Sequence, residues 1–359
     1  MTPTPDPRDA GAAGFAERVV AWQRAHGRHD LPWQRTGDAY RVWVSEVMLQ
    51  QTQVAAVRPY YERFIAAFPD VATLAAAPEE SVLAHWSGLG YYRRARQLHA
   101  AARCVMERHG GAVPQSIDAL VSLPGIGRST AAAIASLAHG TRAAILDGNV
   151  KRVLARHNAI AGYPGAPAVE ARLWRIAEAL LPPRDAAAYT QGLMDLGATV
   201  CMRNRPRCGA CPVADDCRAR LEARVHELPH ARPARVLPQR SLQVLLIEHA
   251  GAVLVERRSA RGVWRGLWSL PELASDDDVQ AHCHARFGHA PARLQRWGPV
   301  QHAFTHYRLT MQPVHVLLEM RPAPVPDARW LAPADVDRAA LPAPIRTLIH
   351  ALRAPALFA

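Results

Sequence analysis

Two acidic residues stand out by their surroundings. Glu46 sits in a helix-forming run with Val42, Trp43, Val47, Met48 and Leu49 as neighbours, and Asp147 lies in Ile-Leu-Asp-Gly-Asn-Val-Lys-Arg, among apolar and turn residues. Apolar surroundings strip water from a carboxylate, so its pKa rises and it can hold a proton near neutrality. That is the property a general acid needs, although Glu46 taken singly also fits a solvent-facing helix position. Twenty residues before Asp147 ends the turn Leu123-Pro124-Gly125-Ile126-Gly127. Pro124 presets one backbone angle, and Gly125 and Gly127 let the chain turn sharply and approach another molecule closely. A helix restarts at Arg128-Ser129-Thr130, and its outward amides with the positive end of its dipole make an anion seat. A tight helix–helix turn is the plainer reading of the same glycines.

Four of the six cysteines crowd into Cys201-x6-Cys208-x2-Cys211-x5-Cys217. Four thiolates from one compact loop can enclose a cubane iron–sulfur cluster. Zinc is the alternative, but zinc sites usually present two close pairs, and here only Cys208 and Cys211 are paired. Arg203, Arg205 and Arg207 fill the first interval, where a braced loop could present them to phosphates. The stretch from His85 to Arg94 holds Gly88, Leu89, Gly90, Tyr91 and Tyr92. Loop-freeing glycines, an apolar tip, aromatics and arginines suit a wedge into a duplex, or else a helix–helix turn with tyrosines in the core. Gln50, Gln51 and Thr52 carry amide and hydroxyl groups suited to base edges, or form an ordinary polar helix face.

Composition agrees with a polyanionic partner. Lys and Arg number 43 against 31 Asp and Glu, a formal charge of +12. Lys151 is the only lysine, so the arginine bias is chain-wide and marks no single arginine as a contact. Six cysteines in 359 residues do not make a disulfide scaffold, and no apolar run reaches membrane-spanning length. Residues 1–14 lack the basic start and apolar middle of a signal peptide and read as a disordered tail. A cytoplasmic protein without a membrane partner is expected.

The elements that must position these groups follow from the periodicity. From 15 to 224 the pattern is helical; in 169–180, for example, apolar residues fall at 169, 173, 176, 177 and 180, one helix face. Residues 225–240 are rich in Pro and Arg and read as a linker. Beyond them, 242–247, 252–256 and 313–320 are short β-type runs, and 276–287 and 339–353 are helix-like, giving a mixed α/β domain over 241–359.

Taken together, LPGIGRSTA, ILDGNVKRVL, SEVMLQQTQV and the cysteine spacing resemble the helix-hairpin-helix DNA glycosylases that carry a [4Fe-4S] cluster. SEVMLQQTQV with the β-type C-terminal domain narrows the resemblance to adenine DNA glycosylases of the MutY type, over about residues 15–350. The C-terminal domain, with Gly262-Val263-Trp264-Arg265-Gly266-Leu267-Trp268, resembles the Nudix or MutT fold. The resemblance implies a monomer that acts on double-stranded DNA containing A:8-oxoguanine or A:G mispairs, associated with a bacterial-type nucleoid. Glu46 would be the acid that protonates adenine, and Asp147 the carboxylate that meets the sugar cation. Asn149 and Ser129 would order water and sugar. Arg28, Trp33, Leu49, Val54 and Gln191 match adenine-pocket positions; Gln51, Thr52, Leu89 and Tyr91 match residues that probe and wedge beside the opposing base. Phe304-Thr305-His306 matches a Phe-Ser-His loop that reads oxidised guanine, with a methyl added where Thr replaces Ser. Cys201, Cys208, Cys211 and Cys217 would ligate the cluster.

Three other readings compete. An endonuclease III-like glycosylase/lyase needs an amine nucleophile in the hairpin, and position 129 is serine, which cannot form a Schiff base. A nucleotide hydrolase needs a glutamate cluster on a helix to hold Mg²⁺, and 276–287 opens with Asp276, Asp277 and Asp278 but has no glutamate. A non-catalytic lesion-binding protein could use the same surfaces, though it has no use for two acids in separate environments.

Overall fold

The computed structural model describes residues 7–34, 37–234, 236–259 and 262–353, which divide into two compact units. The first runs to Ala76 and resumes from Gln97 to Ala234; the second joins Ala77–Arg96 to the chain from Arg235 onward. The helices are α1 (Pro7–His26), α2 (Ala39–Leu49), α3 (Val54–Ala67), α4 (Val71–Ala76), α5 (Glu79–Trp86), α6 (Arg93–His109), α7 (Ile117–Val121), α8 (Arg128–His139), α9 (Gly148–His157), α10 (Pro167–Ala179), α11 (Ala186–Thr199) and α12 (Arg218–Leu221). No helix among the described residues is long and apolar enough to cross a membrane.

Local chemistry explains the elements that carry the candidate residues. Asp38 caps α2, accepting from the Tyr40 and Arg41 amides at 2.8 and 3.4 Å, and the helix buries Val42, Trp43, Val44, Val47 and Met48. It ends at Leu49, and Gln51 turns the chain with a positive φ of 58° before α3 begins. The hairpin joins α7 to α8. Gly125 takes φ +80°, and a Cβ there would lie 2.6 Å from Cβ of Gln97, so glycine is required. Gly127 caps α8 without a side chain, which leaves the first amides of that helix to outside acceptors. Asp147 caps α9, its Oδ1 accepting from the Val150 amide at 2.8 Å. At the centre α11 packs against α1, α8 and α9, and buried Ser136 and Thr190 share a hydrogen bond between α8 and α11.

In the second unit an eight-stranded mixed sheet has the order β3-β2-β1-β7-β5, with β4 on β1, β6 on β7 and β8 on β2. The strands are β1 (Gln239–His249), β2 (Ala252–Arg257), β3 (Trp268–Ser269), β4 (Glu272–Leu273), β5 (Arg293–Arg296), β6 (Val300–Ala303), β7 (Arg308–Leu317) and β8 (Ala328–Leu331). β1 and β7 pair in parallel from Gln239↔Arg308 to Glu248↔Leu317. α13 (Val279–Phe287) packs Val279, Cys283 and Phe287 into a core with Leu245, Ile247, Leu254, Val314 and Val316, and α14 (Ala343–Ala351) closes the unit.

Three boundaries depart from the sequence reading. α1 starts at Pro7, inside the stretch expected to be a disordered tail; proline suits a first turn and the alanines that follow favour helix, while residues 1–6 lie outside the described residues. The early part of the expected linker is structured: Val225 and Leu228 are buried with Ala219 beside Cys208 and Cys217. Residues 77–96, expected within the helical region, group with the sheet.

Candidate active site

Glu46 and Asp147 line one cavity of about 890 Å³ in the first unit. Arg28, Trp33, Leu49, Gln50, Gln51, Thr52, Val54, Ser129, Asn149, Gln191 and Arg203, all singled out in the sequence, line it too. They arrive from α2, α3, α8, α9, α11, the segment after α1 and the cysteine loop, so a single tertiary arrangement gathers what the chain scatters over 160 positions and more. Gly125 and Gly127 belong to the same unit but do not line the cavity.

The two acids differ in what surrounds them. Desolvation, with the Asp147 charge as a lesser cause, pushes the Glu46 carboxyl up to about 8 from an ordinary 4.5. Burial raises Asp147 as well, but the amides of Val150 and Asn149, the charge of Arg152 and the Asn149 side chain all oppose it. Asn149 Nδ2 donates to Asp147 Oδ2 at 3.2 Å. Hydrogen bonds and a nearby cation favour the carboxylate form, so the environments push the two groups toward different roles. Ser129 Oγ accepts from the Leu146 amide at 2.9 Å, which fixes the residue next to Asp147 and leaves the hydroxyl hydrogen to donate.

Several residues not picked out from the sequence complete the site. Asp195, wholly buried, accepts from Arg28 Nε at 2.7 Å, from the Arg28 amide at 2.9 Å and from Gln191 Nε2 at 2.9 Å. It therefore orients two cavity residues at once; its i+4 spacing from Gln191 on α11 was a readable signal, its pairing with Arg28 was not. Arg152 donates to Asn149 Oδ1 at 2.9 Å and to the carbonyls of Gly197 and Cys201. Of the residues already noted in the sequence, Gln50 reaches Thr130 Oγ1 at 3.3 Å, and Lys151 pairs with Glu170 at 2.6 Å.

Two family models match the chain: a "HhH-GPD superfamily base excision DNA repair protein" over residues 44–179 and a "NUDIX domain" over 243–351. An adenine DNA glycosylase of Buchnera aphidicola is 36% identical over 265 residues, 74% of this chain and 76% of the relative. The human adenine DNA glycosylase is 35% identical over 402 residues, 92% of this chain and 72% of the relative. The chain belongs to the adenine DNA glycosylases. Among solved structures, a thermostable thymine-DNA glycosylase superposes with a TM-score of 0.55 at 29% identity, covering 60% of this chain and all of that one. The helical fold is thus that of base-excision glycosylases.

Elsewhere in this glycosylase, Cys201, Cys208, Cys211 and Cys217 are free thiols around one small pocket closed by Val200, Ala214 and Val225. Burial, followed by the charges of the other three, pushes Cys211 up to about 11. Four sulfurs facing one apolar pocket are costly as bare thiolates and are the donor set of an iron–sulfur group, so the residues present fit one. Among the described residues no three His, Cys, Asp or Glu side chains are grouped as for a single ion. Arg156 wraps the loop, donating to Met202 O at 2.7 Å, Arg203 O at 3.0 Å and Cys201 Sγ at 3.4 Å. Of the three loop arginines, Arg203 lines the cavity and Arg205 is exposed, whereas Arg207 is spent on the carbonyl of Thr199.

The remaining sequence-selected residues lie in the second unit. Tyr91 is 48% exposed with φ +50°, while Leu89, expected at an apolar tip, is buried at 8%; Tyr92 is buried too. Phe304, Thr305 and His306 form the β6–β7 connection, closed by Phe304 N–H donating to Tyr307 O at 2.9 Å. The Phe304 ring packs on His302, Tyr307 and Trp264 at 4.6, 4.7 and 5.2 Å, and Thr305 and His306 are exposed. Asp278, from the acidic run at 276–278, caps α13.

Proposed function

We propose that the chain hydrolyses the N-glycosidic bond of adenine paired with 8-oxoguanine, or with guanine, in duplex DNA and leaves an abasic site. The observation that carries this reading is the pairing of Glu46, pushed up to about 8, with Asp147 across one cavity of about 890 Å³. Neutral adenine bound to its sugar would have to leave as an anion. Extrusion of the nucleotide costs a few kcal/mol of lost stacking. Glu46 then gives its proton to adenine N7, and the base departs neutral from an oxocarbenium-like sugar. The Asp147 carboxylate, held by the Val150 amide and by Asn149, stabilises that cation. Water adds at the sugar carbon, and its proton returns to the ionised Glu46. Arg28 and Gln191, oriented by Asp195, supply donors for the base, and Trp33, Leu49 and Val54 its apolar walls.

Tyr91 enters the duplex, the amides opening α8 take a phosphate, and Gln51, Thr52, Thr305 and His306 probe the opposing base. Cys201, Cys208, Cys211 and Cys217 would hold a [4Fe-4S] cluster, which when bound braces the loop that carries Arg203. The protein acts as a monomer at the nucleoid. The test is single-turnover adenine release from duplexes with A opposite 8-oxoguanine, G and T. Release is expected to be fastest opposite 8-oxoguanine and negligible opposite T; equal rates on all three contradict the reading.

A further inference from the structure

Residues 77–96 are joined to the C-terminal part of the second unit by polar contacts that bridge 177 to 259 positions of sequence. Glu80 accepts from Trp268 Nε1 at 2.7 Å and pairs with Arg257 at 3.1 Å and Arg329 at 3.3 Å; both guanidiniums also lie over the Trp268 ring. Nine residues on, the loop from Gly88 to Tyr91 is bracketed by two hydroxyls, Ser87 Oγ and Tyr92 Oη, which both donate to the carbonyl of Leu341. A carbonyl oxygen has two lone pairs, and these two stems take both. Arg346 on α14 donates to Ser87 Oγ at 2.7 Å and to Ala339 O at 3.1 Å, and Ser87 is 1% exposed.

The loop needs such fixing. Gly88, Gly90 and Tyr91 have φ of 101°, 77° and 50°, and the left-handed region is strained for an aromatic residue. Inside the loop, Trp86 Nε1 and Arg94 Nη2 both donate to Gly90 O, at 3.1 and 3.2 Å, and Gly88 N–H donates to Tyr92 Oη. That inner brace belongs to the stretch itself, whereas the anchor of both stems does not.

We infer that the C-terminal unit positions the Gly88–Tyr91 loop for the reaction, with Leu341 O, Arg346, Ser87 and Glu80 as positioning residues that need touch no DNA. This rests on the wedge role proposed above for Tyr91. It assigns the C-terminal unit a second contribution, distinct from reading the opposing base through Thr305 and His306.

The experiment uses the full chain. Amide hydrogen exchange across 86–92 is compared, without DNA, in the wild type, Arg346→Met, which keeps an apolar stem but no donor, Arg346→Lys, which keeps one, and the milder Tyr92→Phe. Single-turnover adenine release opposite 8-oxoguanine is then measured at saturating enzyme. Arg346→Met and Tyr92→Phe are expected to speed exchange of the loop amides about tenfold, the worth of a buried hydrogen bond, while α2 and α9 are unchanged. Release should slow several-fold with duplex affinity little altered, and Arg346→Lys should recover both. Unchanged loop exchange in both variants overturns the inference, as does faster loop exchange with release at the wild-type rate. A wild type that releases no adenine would instead defeat the functional reading, since the exchange measurement needs no catalysis.

Discussion

One glutamate of the first unit does the opposite of those that brace the second. In the second, Glu80, Glu248, Glu256 and Glu272 each lie against a cationic or imidazole partner: Arg257 and Arg329, His315, Arg286 and Arg258 respectively. In the first, Glu46 closes no ion pair among the described residues, and the charge that shifts it is that of another carboxylate, Asp147. A paired carboxylate is held ionised and serves the fold; one denied a partner keeps its proton and can give it away. The C-terminal unit matches a NUDIX domain, and these four glutamates are engaged in holding strands, α13 and residues 77–96 together. The helical unit withholds a partner from Glu46, where the proposed reaction needs a proton.

The comparison predicts a steep ranking of substitutions. Glu46→Gln and Asp147→Asn should each lower single-turnover adenine release by about 10²–10⁴-fold or more, with duplex binding retained in a gel-shift or anisotropy titration. The same Glu46→Gln change should stabilise the protein. The folded carboxyl, at about 8, lies above its unfolded value near 4.5, so between those values folding binds a proton and the wild type loses stability as pH rises. At pH 7 the neutral glutamine should therefore gain about 3 kcal/mol in denaturant unfolding, and its stability curve should be flatter from pH 4.5 to 8. Adenine release should fall as pH climbs through about 8, where Glu46 loses its proton.

How much of this was legible beforehand depends on the range of the interactions. The apolar surroundings of Glu46 on α2 and of Asp147 before α9 are local patterns, so both acids could be read from short windows, whereas the capping of α9 by Asp147 was seen only in the structure. α10, β1, β2 and α13 were likewise visible from periodicity, to within a few residues. Asp195 was not, because its partner Arg28 lies 167 positions away. Nor was the allegiance of residues 77–96 to the sheet, since Glu80 and Ser87 look like ordinary helix and loop residues until Trp268, Leu341 and Arg346 are brought beside them. Leu89 misled for the same reason: a leucine between glycines reads as a tip, and tertiary packing buries it.

Smaller effects sharpen the contrast. Thr305→Ala with His306→Ala should narrow the preference for 8-oxoguanine over guanine by about tenfold, a hydrogen bond or two, with little change in release opposite guanine. Glu256→Gln, which unpairs Arg286 in a partly exposed site, should cost roughly 1 kcal/mol in unfolding and leave adenine release unchanged. If Glu256→Gln impaired catalysis as much as Glu46→Gln, the division of labour between the units would be wrong.

The most direct measurement is the protonation of Glu46 itself. Infrared difference titration of the full-length protein, wild type minus Glu46→Gln, isolates the carbonyl band of this one carboxylic acid. A protonated band that persists through neutrality and disappears near pH 8 is the predicted result. A band already lost near pH 4.5 would mean an ordinary ionised glutamate with no proton to give to adenine.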